Sequence, residues 1–279
     1  MLRIFTDTAA NVPPHLLEQY HITAMPLTYL LDGQPTELVG HDYYEAMRKG
    51  AEVKTSLVSP ALIRDTMESA LKDGDDVLYI AISGGISGTC WSAELMAEEL
   101  RGEYPDRMIR VLNTCGASLG EGLVVLEAAK MLEKGCTADE IIRQAEENCG
   151  RMRQFFMVDD LKYLRRGGRI SAAAQVAGSL LKIKPILQSD PEGHIIQHSK
   201  VRGQLKAMET LAELYKEYAV DGTRTVGIAH ADCPDGALRA KLRDAGQTGE
   251  ILSVCYEPVT GGHVGPGTVA LFFFGEVWR

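Results

Sequence analysis

The chain has 279 residues, 45% of them hydrophobic and 24% charged, and a formal net charge of −9. That length exceeds the ~100–200 residues of one domain, so two packed domains are expected, and the acidic balance excludes a protein that neutralises nucleic-acid phosphates over a broad basic surface. No apolar run approaches the ~20 residues of a membrane span, and the start Met1-Leu2-Arg3-Ile4-Phe5-Thr6 reads as a first strand rather than a signal peptide, so a cytoplasmic location is expected.

Strand-like and helix-like segments alternate through the first half. Strands are expected at 2–7, 22–31, 77–82 and 108–113, and helices near 14–20, 43–48, 60–71, 90–100 and 119–133. This is the α/β pattern of a largely parallel sheet with helices on both faces. Ser59-Pro60 offers an N-cap hydroxyl before a proline at the first helical position. Thr137-Ala138-Asp139-Glu140 is a capping box opening a helix over 139–149. The texture then changes. Residues 155–158 are apolar, and 184–188 with 194–198 flank Asp190-Pro191-Glu192-Gly193 as a β-hairpin would. A long amphipathic helix over 203–218, a strand at 225–230, a helix at 234–243 and strands at 251–256 and 268–274 complete the pattern. The expected domains are 1–151, an N-terminal α/β domain, and 152–279, a C-terminal α/β domain with a mixed sheet.

The six cysteines (90, 115, 136, 149, 233 and 255) form no C-x-x-C pair and have no histidine at metal spacing, so packing thiols and no metal are expected. Basic residues cluster at Lys162, Arg165, Arg166 and Arg169, then Lys182 and Lys184, then Lys200, Arg202 and Lys206. Such a bias suits either contact with an anionic partner or a solvated face.

The most informative stretch is 77–98. The apolar run Val77-Leu78-Tyr79-Ile80-Ala81-Ile82 stops at Ser83-Gly84-Gly85-Ile86-Ser87-Gly88-Thr89, which leads into a helical pattern. Unpaired N–H groups and the positive end of the helix dipole converge at such a loop and make an anion pocket. The loop has no Lys or Arg, unlike a P-loop, and its adjacent Gly84 and Gly85 do not fit the dinucleotide fingerprint. A nucleophile elbow would need glycine where Thr89 stands. Hydroxyls and amides without a cation suit an anion of low charge, such as one carboxylate. The competing reading is that Ser87 and Thr89 only cap the helix.

Five segments together resemble the DegV family of bacterial fatty-acid-binding proteins. They are Phe5-Thr6-Asp7-Thr8-Ala9-Ala10-Asn11-Val12-Pro13, Thr55-Ser56-Leu57-Val58-Ser59-Pro60, residues 83–93, residues 158–171 with the pattern Asp-Asp-Leu-x-Tyr-Leu-x-x-Gly-Gly-Arg-Ile-Ser, and His263-Val264-Gly265-Pro266-Gly267. The chain departs from the usual family residues at Asn11 (Asp), Val58 (Pro) and Gly84 (Ser). The resemblance implies one long-chain fatty acid in a tunnel between two α/β domains, with its carboxyl end at the glycine-hydroxyl loop. It further implies presentation of that acid to a separate fatty acid kinase for acyl-phosphate formation, transient contact with a membrane surface, and no bond chemistry or cofactor in this chain. Position by position, it assigns the carboxylate contacts to Thr55, Ser87 and the Gly88 amide, with Arg169 and His263 nearby, and partner docking to Arg202.

His263 lies between glycines and reads as a loop residue. Apolar residues such as Ile82, Ile86, Leu180, Leu181, Ile183 and Phe272 or Phe273 suit tunnel walls as well as they suit an ordinary core. Two other readings stay open. One is a substrate subunit like those of dihydroxyacetone kinase or the phosphotransferase systems, using His263. The other is a carrier or sensor of a different amphiphilic acid.

Overall fold

The structure, a computed structural model, describes residues 1–170 and 182–279. The chain begins with β1 (Leu2–Asp7), α1 (Pro14–Gln19), β2 (Thr23–Met25), β3 (Thr28–Leu31), β4 (Gln34–Pro35), α2 (Gly40–Arg48) and β5 (Val53–Ser56). It continues through α3 (Pro60–Lys72), β6 (Asp76–Ala81), α4 (Thr89–Glu103), β7 (Ile109–Asn113), α5 (Leu119–Glu133) and α6 (Ala138–Arg151). Then come β8 (Met152–Met157), α7 (Lys162–Arg166), β9 (Ile183–Ser189), β10 (Ile195–Arg202) and α8 (Gln204–Tyr218). Last are β11 (Val226–His230), α9 (Gly236–Asp244), β12 (Ile251–Cys255), α10 (Pro258–Val264) and β13 (Val269–Phe274).

Met1–Thr28 and Ser56–Gly150 form the first compact unit. Its sheet has the order β2-β1-β6-β7 and every pairing in it is parallel. Val77 through Ala81 are each 0% exposed. Successive strand side chains point to opposite faces, so β6 is covered on both, as a parallel sheet requires. The capping box forms as expected: the Glu140 carboxylate accepts from the Thr137 amide at 2.9 Å and the Glu140 amide donates to the Thr137 hydroxyl at 3.4 Å. Ser59 does occupy the N-cap of α3, but its hydroxyl makes no capping bond.

Tyr29–Thr55 and Arg151–Arg279 form the second unit. Its six-stranded sheet has the order β10-β9-β8-β13-β11-β12 and is mixed: only β11 and β12 run parallel, while the other pairings are antiparallel. The β9–β10 hairpin closes with Asp190 N–H on the His194 carbonyl at 2.9 Å and Gly193 N–H on the Asp190 carbonyl at 3.0 Å. Helix α8 lays Ala207, Met208, Leu211 and Tyr215 on one face of the sheet, against Phe155, Ile228, Leu271 and Phe273.

Two expectations are corrected here. The strand expected over 22–31 is two strands in different sheets, because Pro26 has no N–H for a ladder and breaks the run. The continuous domains 1–151 and 152–279 give way to a division in which Tyr29–Thr55 belongs to the second unit. The cause is burial of two tyrosines on α2. Tyr43 and Tyr44 are each 0% exposed. Their hydroxyls donate to the Pro258 carbonyl at 2.7 Å and the Tyr256 carbonyl at 3.0 Å. Arg48 adds a bond to the Asp232 carboxylate at 2.6 Å. No helix among the described residues is long and apolar enough to cross a membrane.

Candidate functional site

In the first unit the site is the loop joining β6 to α4. Its turn is built by Ser83, whose carbonyl accepts the Ile86 and Ser87 amides at 3.2 and 3.1 Å and whose hydroxyl accepts the Gly85 amide at 3.1 Å. The Ser87 hydroxyl donates to Thr89 Oγ1 at 3.1 Å and accepts the Thr89 amide at 3.2 Å. Thr89 Oγ1 also accepts the Val58 amide at 3.4 Å, which ties the chain after β5 to the start of α4. Gly88 is the N-cap of α4, exposed, and has no side chain of its own to cap the helix. Among the described residues, the Gly88 amide donates to no protein group. Ser87 thus has the local bonds of the capping reading, while the helix N-terminus keeps a free donor beside it. A Cβ at Gly88 would lie 3.1 Å from Leu57 Cδ2, so glycine permits the close approach of Leu57.

Cys90 opens the first turn of α4, and burial, followed by Glu94, pushes its thiol up to about 12. It is neutral at physiological pH and offers no thiolate nucleophile to the loop.

The second unit brings Thr55, His263 and Arg169 together. Thr55 Oγ1 lies 2.8 Å from His263 Nε2. Desolvation, and after it the charge of Arg169, lowers the imidazole to about 4, so His263 is neutral at pH 7. Arg169 is half-buried, its guanidinium is lowered by burial, and it donates to the Gly167 carbonyl. Gly167 packs flat against the imidazole: a Cβ there would stand 2.2 Å from His263 Nδ1. A recess of about 10 Å³, the size of one water, lies between His263, Gly167, Tyr163 and Arg166.

The loop expected around His263 is the last turn of α10. Glu257 caps this helix by accepting the Val259 amide at 2.7 Å and the Thr260 amide at 2.5 Å. The glycine pair before His263 serves close packing and not a turn. A Cβ at Gly261 would collide with the Tyr44 hydroxyl at 2.0 Å, and one at Gly262 with Val53 at 2.6 Å. The signal in sequence was Glu257-Pro258, an acidic N-cap before a proline at the first helical position.

The acidic pair Asp159-Asp160 is structural. Asp160 accepts the Lys162 amide at 2.8 Å at the start of α7, and Asp159 pairs with Lys184 at 2.5 Å. Arg202 ends β10 exposed and makes no ion pair among the described residues. Of the other basic residues singled out in the sequence, Arg166 pairs with Glu52, Lys162 with Asp160, and Lys206 with Glu209 and Glu213. All six cysteines are free thiols. Of the suggested wall residues, Phe273 is core filler, packed 5.2 Å from the Tyr215 ring and 6.1 Å from that of Phe155. Leu180, Leu181 and Ser171 lie outside the described residues.

Comparison with known proteins agrees along the whole chain. A family model described as an uncharacterised protein of the DegV family matches residues 1–276. A DegV domain-containing protein of Clostridium perfringens is 36% identical over 282 residues, covering 98% of this chain and 97% of the relative. Among solved structures, a fatty-acid-binding DegV family protein from Thermus thermophilus superposes with a TM-score of 0.87 at 30% identity, covering 98% of this chain and 99% of that one. DegV of Bacillus subtilis, a fatty acid binding protein, gives a TM-score of 0.85 at 29% identity and covers 99% of both chains.

Proposed function

The chain belongs to the DegV family, and from that premise we propose that it binds one long-chain fatty acid and performs no bond chemistry itself. The observation that carries the reading is the β6–α4 loop, a helix N-terminus that combines a half-buried hydroxyl, a Gly88 amide with no acceptor among the described residues, and no basic residue. Such a set suits one carboxylate and not a phosphate chain. In this proposal Ser87, Gly88 and Thr55 hold the carboxylate. Arg169 supplies positive charge, and neutral His263 fixes the Thr55 hydroxyl. The fatty acid is the ligand, and no metal or further cofactor takes part.

The tail supplies most of the affinity. Each buried methylene contributes about 0.8 kcal/mol, so a chain of about sixteen carbons gains on the order of 10 kcal/mol before ordering and association costs. The head group then sets register and leaves one carboxyl oxygen reachable. A low-charge site of this kind fits a presenter that hands the carboxyl to a separate fatty acid kinase, in the cytoplasm and in transient contact with a membrane surface. Arg202, exposed and without an ion pair among the described residues, is the proposed docking residue for that kinase.

Calorimetric titration with oleate tests the site. Thr55→Ala combined with Ser87→Ala should weaken binding by a few kcal/mol at most, because hydrogen bonds to a charged group are worth about 1.5–3 kcal/mol each. An unchanged affinity would place the carboxylate elsewhere.

A further inference from the structure

Trp91 stands in the first turn of α4 and is 63% exposed, so burial does not explain its position. Its one polar atom does: indole Nε1 donates to the Gly84 carbonyl at 3.1 Å. On the other side of the same residue, the Gly84 amide donates to Asn113 Oδ1 at 3.1 Å, and that oxygen also accepts the Cys115 amide at 3.0 Å. Both peptide planes flanking Gly84 are therefore fixed from outside the loop.

The indole lies where a side chain at 84 would begin. A Cβ on Gly84 would be 2.8 Å from Trp91 Nε1 and 3.0 Å from Cε2. The indole leaves no room for a side chain at 84, and this is one of the positions where the chain departs from the usual family residue. The rest of the loop is held by its own short-range bonds, in which Ser83 accepts the Gly85, Ile86 and Ser87 amides, and these leave its glycines to be ordered. Gly85 and Gly88 lose more backbone freedom on ordering than any other residue type would.

We propose that Trp91 is a positioning residue for the ligand carboxylate. Its bond to Gly84 sets the 83–89 loop in advance, so that binding does not have to order it. The inference rests on the fatty acid reading above, and it concerns a residue that does not itself touch the ligand.

Trp91→Phe keeps an aromatic ring and removes the N–H. Oleate binding should weaken about fivefold, the value of one ordinary hydrogen bond. In a Ser87→Ala background the same change should have a smaller further effect, because only the Gly88 amide of the loop is then left to be positioned. An unchanged affinity in Trp91→Phe, or an equal loss in both backgrounds, would overturn the proposal. Should the unaltered protein bind no fatty acid, the parent reading falls, and amide hydrogen exchange then decides the role of Trp91. Faster exchange at Gly85 and Gly88 in Trp91→Phe supports positioning, and unchanged exchange refutes it.

Discussion

Acidification should destabilise this protein through His263 in a way that one substitution removes. In an unfolded chain a histidine titrates near 6.5; in the fold, burial and then Arg169 bring His263 down to about 4. Between those values the unfolded chain binds a proton that the native imidazole refuses, so stability falls as pH drops from 6.5 toward 4 and is fully present above 6.5. Each pKa unit is worth about 1.4 kcal/mol, and the interval from 6.5 to about 4 corresponds to about 3 kcal/mol. Urea unfolding of the unaltered protein and of His263→Gln, at pH 7 and at steps down to pH 4.5, reads this directly. Carboxylates elsewhere contribute alike to both proteins, so the difference between them isolates residue 263. The unaltered protein should lose most of that amount relative to the variant across the window. Parallel pH profiles would refute the account of His263 as a buried neutral partner of Thr55.

Gly167→Ala should cost about 1–3 kcal/mol in the same urea experiment, the usual range for overpacking, because its Cβ would stand 2.2 Å from His263 Nδ1. It should also raise the His263 pKa seen by NMR, since the displaced ring gains solvent, and an unmoved resonance would contradict this. Arg202→Ala should leave oleate affinity within about twofold, as the loss of an exposed side chain allows. With a fatty acid kinase supplied, acyl-phosphate formation should slow; equal loss of lipid binding would move Arg202 into the ligand site.

Features encoded locally were legible in the sequence. The Thr137–Glu140 capping box, the hairpin around Asp190 and Gly193, and the strand-loop-helix of 77–98 each depend on residues a few positions apart. What escaped depends on long-range packing. Nothing near Tyr43 and Tyr44 signals that their hydroxyls reach carbonyls more than 200 positions away, yet those bonds place Tyr29–Thr55 in the second unit. Gly261-Gly262 looks like a turn until the tyrosine hydroxyl and valine that press on it are seen. No sequence pattern marks Trp91, because what distinguishes it is one hydrogen bond to the backbone seven residues earlier. The helix-start loop at Ser87 could be read from residue types alone, whereas the approach of Thr55 to His263 spans 208 positions, and the family likeness named both residues without indicating that they meet.

The central claim is that this chain carries a fatty acid, and mass spectrometry of denaturing extracts from protein purified out of a bacterial host tests it most directly. One long-chain fatty acid per chain is the predicted result. Lipid-free protein that also fails to take up labelled palmitate or oleate would contradict it.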